Sequence, residues 1–392
     1  MIESLFRTHD HLLRHRPSSV RRFLMDEIDS QERLIGIIGS RGIGKTTFLL
    51  DWAVEKYGVL NRKCLYVNLN HFLFSTIKLV DFASSFVAQG GEMLLLDQIF
   101  KYPNWQSELN ECHSKYPTLS IMYTGSPLIE ETLDWETYKG KIYRLPGFSL
   151  REYINSQTGL DLPVFKWEDI INNHVKISKT ILEQTNPNSW FNDYIHHGYY
   201  PFFLAESTYS ESLLKNINMT LEVDVMYIRN IDQRLLPKLR TLLYLVSLSS
   251  PTLLNVSQLA KGISTSRATV TNYVNFLKEA ELIALVHRSE ATEAKSSLIS
   301  YLDNTNLGYV LAPESLSETE ICRTFFLNQV SKCLKVEATV RAHVNFIVDS
   351  KHQFRIDKET NARYRLDRLY AVNNINTGAK NIIPLWLFGF LY

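Results

Sequence analysis

Cysteine is scarce in this sequence and widely scattered. Only four of the 392 residues are cysteines, with no CxxC pair and no histidine beside them at the spacing of zinc ligands. Disulfide-stapled folds and structural zinc sites both need such clusters. These two classes are therefore excluded, and reduced thiols predict a cytoplasmic protein.

An excess of charge of either sign is also missing. The sequence has 42 Lys and Arg residues against 41 Asp and Glu residues, for a formal net charge of +1. A protein that is basic over its whole surface is excluded by this balance. Any contact with nucleic acid must be confined to one region of the chain.

Long apolar runs are lacking as well. A membrane-spanning helix needs roughly 18 to 20 apolar residues, and no stretch reaches that length. The N-terminal residues contain no uninterrupted apolar segment of the signal-peptide kind. The longest candidate, Ile382–Tyr392, is short and contains Pro384. We expect a buried terminal strand there and no membrane partner, with docking to a membrane or to another protein as the alternative.

What the sequence does have is material for buried cores, since 45% of its residues are hydrophobic and 21% are charged. At about 150 residues per domain, this length predicts two or three domains. Short apolar runs typical of buried parallel strands recur before residue 148, and segments that can be helical separate them. These runs are Leu34–Ile38, Cys64–Val67, Met93–Leu96, Leu119–Tyr123 and Ile142–Leu145. The alternation predicts an α/β domain with a parallel sheet over residues 1–148.

Three further regions follow this domain. Residues 149–247 are predicted to form a helical lid with aromatic-rich loops. Residues 248–302 have the order helix, turn, helix and strand that is typical of a winged helix-turn-helix. Residues 303–392 again alternate helix and strand, which predicts a small C-terminal α/β unit.

A phosphate-binding motif lies directly after the first apolar run. Gly39–Thr46 reads GSRGIGKT and matches G-x-x-x-x-G-K-[ST] in full, and the helical segment Lys45–Glu55 follows it. We expect Gly39, Gly42 and Gly44 to adopt positive φ, so that backbone N–H groups and the helix N-terminus face phosphate oxygens. The alternative is a glycine-rich turn that merely starts a helix, but such a turn would not require every residue of the phosphate-binding motif.

The side chains of this motif predict the ligand. Lys45 is expected to reach the β- and γ-phosphates of a nucleotide, and Thr46 to bind Mg²⁺ through its hydroxyl. Thr47 follows as a contact to the α-phosphate. The sequence therefore predicts a P-loop NTPase domain that binds ATP with Mg²⁺.

A carboxylate at the end of a second strand is the other part that such a site needs. Asp97 ends the run Met93–Leu96 and is expected to hold the metal, although a turn-capping Asp is the alternative. The next residue is Gln98, whose amide can orient water but cannot accept its proton. General-base catalysis contributes about 10²- to 10⁴-fold, so Gln98 predicts slow hydrolysis with retained binding. Thr124 ends another predicted strand and is a candidate γ-phosphate sensor, for which a plain turn is the alternative.

With these residues in place, the chain resembles bacterial and archaeal AAA-type ATPases. Those proteins join a P-loop domain to a winged helix and a C-terminal restriction-endonuclease-like domain. The resemblance covers nearly the whole chain, and its most specific segment reads DQIFKYPNW where members of the family commonly read D-E-x-H-K-Y-P-N-W. Other matching segments are Gly39–Thr47, Tyr123–Leu128, Tyr143–Tyr153, His196–Phe203 and Ile383–Tyr392.

Several positions depart from the family pattern. This chain has Gln98 where hydrolysing members of the family have Glu. It also has Glu136–Lys139 where the family often has a Ser-Arg-Arg run that can supply an arginine finger. Lys139 offers a point charge as a substitute, without the bidentate geometry of arginine. In the nuclease-like unit, Asn345 and Arg355 stand where the resemblance implies carboxylates. The resemblance therefore implies a fold without metal-dependent cleavage; a shifted site built from Asp349, Asp357 and Lys358 is the alternative.

The second helix of the predicted winged helix-turn-helix is the candidate DNA contact. Val270, Tyr273, Val274 and Leu277 fall at helical spacing and are expected to face the core. This leaves polar residues on the other face that could contact bases and phosphates, among them Arg267, Thr269 and Asn272. A spacer or protein-docking role is the alternative.

Three functions remain open at this point. The first is a Mg·ATP-binding AAA-like protein with weak or absent hydrolysis, in which nucleotide occupancy changes how the lid and C-terminal domains are arranged. The second is an active ATPase that uses Gln98 and Lys139. The third is a DNA-binding regulator with a nucleotide-sensing P-loop, whose DNA affinity would fall as salt rises.

Overall fold

The chain divides into two compact units. The computed structural model describes residues 2–17, 20–204, 208–288, 298–339, 343–358 and 364–392. Unit 1 comprises Met1–Gly147 with Tyr227–Arg229, and unit 2 comprises Phe148–Met226 with Asn230–Tyr392. The four-part division at residues 148, 247 and 302 stays a prediction, because the three regions after residue 148 lie in one unit.

Unit 1 is an α/β domain built on a five-stranded parallel sheet with the strand order β2-β3-β4-β1-β5. The strands are β1 Leu34–Ile38, β2 Cys64–Asn68, β3 Met93–Asp97, β4 Ser120–Gly125 and β5 Lys141–Arg144. The helices are α1 Ile2–Arg14, α2 Leu24–Glu27, α3 Lys45–Tyr57, α4 Leu79–Val87 and α5 Trp105–Lys115. The predicted fold class is confirmed for this unit, and all five apolar runs are strands.

The sheet explains why polar residues from distant positions meet. Strands β1, β3 and β4 are buried along their lengths, as continuous apolar runs predict, and they are neighbours in the sheet. Because parallel strands end at the same edge, the segments after Ile38, Leu96 and Tyr123 lie side by side. This carboxyl edge is where open α/β sheets place their ligands.

Helix α1 packs against the outer strand β2 through a buried histidine. His9 is 1% exposed, and its Nδ1 accepts a hydrogen bond of 3.1 Å from the backbone N–H of Tyr66. Burial lowers the pKa of His9, an effect that Arg62 reinforces and that Asp10 opposes. An imidazole that accepts at Nδ1 must be neutral there, so protonation breaks this contact.

We therefore expect acid to lower the thermal stability of unit 1 through protonation of His9. The pKa of His9 is lower in the folded state than its unfolded value of about 6.5. The contribution of His9 to the free energy of unfolding is therefore complete above about pH 6.5 and is lost as the pH falls below that value. In His9→Asn, Oδ1 keeps an acceptor at the position of Nδ1 but does not titrate. Thermal unfolding between pH 7.5 and 5 should show a smaller decline for this variant than for the wild type. The exposed His11→Asn is the control, and equal declines in all three proteins would contradict the prediction.

Unit 2 is mostly helical around two small sheets. Its helices are α6 Leu150–Thr158, α7 Trp167–Leu182, α8 Pro187–Asp193, α9 Tyr209–Met219, α10 Met226–Ile228, which ends in unit 1, α11 Leu236–Ser249, α12 Val256–Gly262, α13 Arg267–Glu279, α14 Thr305–Leu311 and α15 Glu318–Ser331. Its strands are β6 Thr252–Leu253, β7 Ile283–His287, β8 Leu298–Leu302, β9 Val336–Ala338, β10 Phe346–Val348, β11 His352–Asp357, β12 Leu369–Val372 and β13 Ile382–Pro384.

The elements predicted for the winged helix-turn-helix occur in the predicted order. Strand β6 comes before helices α12 and α13, strands β7 and β8 follow them, and the three strands form an antiparallel sheet with the order β6-β8-β7. The hydroxyl of Ser266 caps α13 by accepting from the N–H of Thr269. All four residues expected to face the core are buried, namely Val270, Tyr273, Val274 and Leu277.

The C-terminal residues form a strand and then a helix. A second five-stranded sheet, with the order β13-β12-β11-β10-β9, is antiparallel over β9–β11 and parallel over β11–β13. The expectation of one strand over Ile382–Tyr392 was wrong, because β13 ends at Pro384 and Leu385–Phe390 is a 3₁₀ helix. Proline lacks the N–H that a continued ladder requires.

Residues 385–390 are all buried. Within the described part of the chain, no helix is long and apolar enough to span a membrane.

Candidate nucleotide site

The loop Gly39–Gly44 connects β1 to α3 and has the shape that its glycines require. Gly42 and Gly44 both have φ of 90°, as expected, and Gly44 is the N-cap of α3. The expectation of positive φ was wrong for Gly39, which serves close packing instead. A Cβ there would lie 2.4 Å from the carbonyl oxygen of Leu145. The loop therefore opens onto the N-terminus of a 13-residue helix, where backbone N–H groups favour an anion.

Lys45 is folded back onto this loop. Its Nζ donates to the carbonyl oxygens of Gly39 and Ser40, each at 2.7 Å. The ammonium group is half-buried at the mouth of the loop. A phosphate above the loop would therefore meet a cation that is already held in place.

Asp97 is the centre of a cluster of hydroxyl groups. Its Oδ2 accepts from Thr46 Oγ1 and from the hydroxyl of Tyr66, both at 2.8 Å. Its Oδ1 accepts from Thr124 Oγ1. Asp97, Tyr66 and Thr124 are buried, whereas Thr46 is exposed. The structure thus brings the two predicted metal ligands, Thr46 and Asp97, into direct contact.

The predicted sensor Thr124 is engaged with this cluster. The backbone N–H of Gln98 donates to Thr124 Oγ1 at 3.1 Å, and the Thr124 hydroxyl in turn donates a hydrogen bond to Asp97 Oδ1. A hydroxyl has a single hydrogen to donate, so Thr124 could donate to a phosphate only after releasing Asp97. In this arrangement Thr124 supports the carboxylate.

Gln98 follows Asp97 in a left-handed conformation, with φ of 60°. Such a conformation is uncommon outside glycine and asparagine and is found at functional sites. The side-chain amide is half-buried and has no hydrogen bond to any other residue of the described chain. It is available to a water or a ligand at the carboxyl edge of the sheet.

Lys139 does not join the other predicted site residues. The structure places it before β5, at the amino edge of the sheet, where its Nζ donates to Ser114 Oγ at 2.7 Å. Lys141 is level with Ile35, four residues before Gly39, so at about 3.3 Å per residue the two edges lie about 13 Å apart. Lys139 therefore lies away from the loop of its own chain, and its role as a substitute for an arginine finger stays a prediction.

Ser126 adds a polar group that carries no bond. It follows β4, in line with Gly39 after the paired ends of β1 and β4 at Ile38 and Gly125. Its hydroxyl is buried and has no hydrogen-bond partner in the described structure. Buried hydroxyls without a partner are costly. Ser126 is thus better placed than Thr124 to accept a new partner.

The donor set suits magnesium. One hydroxyl oxygen and one carboxylate are hard ligands, and Mg²⁺ is typically held by one or two carboxylates together with substrate phosphates and water. Within the described residues no cluster of three or more His, Cys, Asp and Glu residues could hold a metal ion. A metal at this edge would therefore depend on a phosphate ligand for the rest of its coordination.

Sequence reasoning missed Tyr66, although Asp97 and Thr46 were found. Tyr66 lies within β2 and reads as one more apolar strand residue. A buried hydroxyl needs a partner, so a tyrosine in a run of buried strand residues is a signal that one exists. Which partner it has depends on the pairing of β2 with β3, where Asn68 lies opposite Asp97.

The shifted nuclease site, which was the alternative to a unit without cleavage, does not assemble from Asp349 and Asp357. Asp349 follows β10 at the turn of the β10–β11 hairpin, and Asp357 ends β11 five residues beyond His352. At about 3.4 Å per residue, Asp349 and Asp357 lie about 17 Å apart and cannot share a metal ion. Asp357 is instead paired with Arg355 Nε at 2.8 Å.

The predicted DNA-contact residues lie on α13. Arg267 and Asn272 are exposed, and Thr269 is half-buried with its hydroxyl bonded to Ser266 at 2.9 Å. No described contact tests whether this face meets DNA, which stays a prediction.

Residues 31–154 match the family model described as an AAA domain, and residues 188–302 match a domain of unknown function (DUF8612). None of the curated proteins matches the sequence. Among solved structures, a chain from work on the structural basis for katanin self-assembly is 14% identical with a TM-score of 0.24, over 47% of this chain and 68% of that one. C. elegans PCH-2 is 16% identical with a TM-score of 0.25, over 71% of this chain and 67% of that one. Both TM-scores are low, so no property of katanin or PCH-2 is transferred to this chain.

Proposed function

We propose that the protein binds Mg·ATP at the carboxyl edge of unit 1 and hydrolyses it slowly or not at all. The observation that carries the proposal is the contact between Thr46 and Asp97 directly beside the loop Gly39–Gly44. The match of residues 31–154 to an AAA domain supports the same ligand. Isothermal titration with Mg·ATP tests binding, and multiple-turnover phosphate release separates a binding protein from an active ATPase.

Each residue of the site has a distinct proposed role. Backbone N–H groups of the loop and Lys45 hold the phosphates, Thr46 and Asp97 hold Mg²⁺, and Thr47 contacts the α-phosphate. Mg²⁺, when bound, neutralises charge on the β- and γ-phosphates. Gln98 orients water without taking its proton, which is why slow turnover is proposed.

We propose further that nucleotide occupancy is transmitted toward unit 2. Arg22 is 4% exposed, and its guanidinium donates to the carbonyl oxygen of Ile43 in the loop at 3.0 Å. The same group donates to the carbonyl oxygens of Pro146 at 2.5 Å and Gly147 at 3.3 Å. Those two residues precede Phe148, where unit 2 begins. Arg22 thus links the loop to the residues of unit 1 that directly precede Phe148 in the chain.

Replacing Arg22 with lysine should separate binding from this transmission. Lysine keeps the charge but cannot bond three carbonyl oxygens in a planar fork. We expect Mg·ATP affinity to change less than about 10-fold, in line with the loss of one or two hydrogen bonds away from the ligand. In hydrogen exchange, Mg·ATP should protect residues 39–47 in both proteins but residues 145–160 only in the wild type.

The matched control is Arg33→Lys. Arg33 also donates to main-chain oxygens within unit 1, those of Tyr116, Leu119 and His113, but not to the loop. Its variant should keep protection of residues 145–160. Equal protection of that segment in Arg22→Lys would contradict the proposed link.

The remaining parts of unit 2 are assigned on the resemblance and on their elements. We propose that residues 248–302 are a winged helix-turn-helix and that residues 303–392 are a nuclease-like unit without cleavage activity. In support, Asn345 Oδ1 accepts from the N–H of Ile356 at 2.7 Å and so serves the hairpin. Arg355 forms an ion pair with Asp357.

A further inference from the structure

The hydroxyl of Tyr66 is a polar group in the buried stretch Cys64–Val67 of β2. Tyr66 is 6% exposed, and its strand neighbours Leu65 and Val67 are 0% and 1% exposed. Burying a hydroxyl is unfavourable unless it forms a hydrogen bond. Tyr66 forms that bond with Asp97 Oδ2 at 2.8 Å.

The position of this tyrosine is held from both sides. Its backbone N–H is bonded to His9 of α1, and its residue pairs with Leu95 of β3 across the sheet. An ionised carboxylate oxygen can only accept a hydrogen bond, so the tyrosine hydroxyl is the donor in its bond to Asp97.

The hydroxyl groups around Asp97 leave it one place for a new partner. An ionised carboxylate offers about four acceptor positions, two on each oxygen. Thr46 and Tyr66 occupy the two positions of Oδ2, and Thr124 occupies one of Oδ1. The remaining position is on Oδ1. A carboxylate held in this way cannot rotate, because rotation would break three hydrogen bonds at once.

We propose that Tyr66 is a positioning residue that orients Asp97 toward Mg²⁺, a role that rests on the proposed Mg·ATP binding. Thr46 can bind a metal through a lone pair while still donating its hydrogen to Asp97. Tyr66 is not itself one of the proposed metal ligands, and the hydrogen bond that its hydroxyl donates goes to the carboxylate of Asp97. The expected consequence of losing it is a weaker preference for the magnesium complex of the nucleotide over the free nucleotide.

The test is Tyr66→Phe, which removes one oxygen and keeps the ring. ATP affinity is measured by titration at a series of Mg²⁺ concentrations and in excess EDTA. We expect the ATP affinity in EDTA to be unchanged within about twofold. The Mg²⁺ concentration that produces half of the maximal increase in ATP affinity should rise roughly 10-fold, as for a lost hydrogen bond to a charged group. A role in folding alone would lower both affinities together and leave the Mg²⁺ dependence unchanged.

Tyr138→Phe is the matched control. Tyr138 is also a buried tyrosine of unit 1, and its hydroxyl is bonded to that of Tyr123 at 2.6 Å, away from Asp97. Its variant should lose stability without any change in Mg²⁺ dependence. A double-mutant cycle with Asp97→Asn adds a second measurement, because Tyr66→Phe should have no further effect on Mg²⁺ dependence once Asp97 is neutral.

The outcomes separate the two proposals. A wild-type protein that binds no ATP with or without Mg²⁺ would overturn the proposed function, and the role of Tyr66 with it. Wild-type binding that depends on Mg²⁺, together with the same dependence in Tyr66→Phe, would overturn only the role of Tyr66. Additive effects in the double-mutant cycle would do the same.

Discussion

Replacing Lys45 with alanine should reduce Mg·ATP affinity by at least about 100-fold, below the detection limit of an ordinary titration. Hydrogen bonds to charged groups contribute about 1.5 to 3 kcal/mol each, and Lys45 is expected to reach two phosphates. Its Nζ already lies on the loop, bonded to the carbonyl oxygens of Gly39 and Ser40. Calorimetry with Mg·ATP is the measurement.

Lys56→Ala is the control for this prediction. Lys56 lies in the last turn of the same helix, at the end opposite the loop, where it is paired with Glu55 at 3.5 Å. Its variant should bind Mg·ATP like the wild type. Since Lys45 also holds loop carbonyls, thermal unfolding must show that Lys45→Ala is folded. Undiminished affinity in a folded Lys45→Ala protein would refute the assignment of Gly39–Thr46 as the phosphate-binding loop.

Replacing Gln98 with glutamate should increase the rate of ATP hydrolysis in a single turnover. The two side chains have the same shape, but only the carboxylate can accept a proton from the attacking water. General-base catalysis contributes about 10²- to 10⁴-fold, and we expect a gain at or below the lower figure. The reason is that Lys139 lies at the other edge of the sheet, so no described substitute for an arginine finger reaches the loop from that region of the chain.

The rate is measured at saturating Mg·ATP, with affinity determined separately. Gln98→Met is the matched control, because it has a similar length and neither accepts a proton nor orients water. It should be no faster than the wild type. The backbone need not change, since glutamate can occupy the left-handed conformation of Gln98 as readily as glutamine. Equal rates for Gln98→Glu and a wild type that turns over briskly would mean that another group activates the water.

Local patterns were sufficient for the elements of unit 1. Each of the five apolar runs is a strand, and β1 has the predicted bounds, Leu34–Ile38. A buried parallel strand needs only a short uninterrupted run of apolar residues, and such a run is visible in the sequence itself. The buried face of α13 could likewise be predicted, because its apolar residues recur at helical spacing within one segment.

Local patterns failed where one residue changed the course of the backbone or where a glycine had two possible uses. The run Ile382–Tyr392 is apolar throughout, yet Pro384 ends the strand and a 3₁₀ helix follows. Gly39 belongs to the motif but serves the close approach of Leu145 rather than a positive φ. In each case the residue was noted in the sequence, but its effect on the backbone was not predicted.

The sequence by itself determined that this protein has a parallel α/β sheet, a phosphate-binding loop after its first strand and an aspartate at the end of another. These features are encoded in contiguous residues. Only the tertiary structure decided which side chains surround the aspartate, because Tyr66 and Thr46 are 31 and 51 residues away from it. It also excluded Lys139 from the loop of its own chain and joined Arg22 to Ile43 and Pro146. Contacts of this kind depend on strand order, register and helix packing, which bring distant residues together by the burial of whole elements rather than by any pattern within one segment.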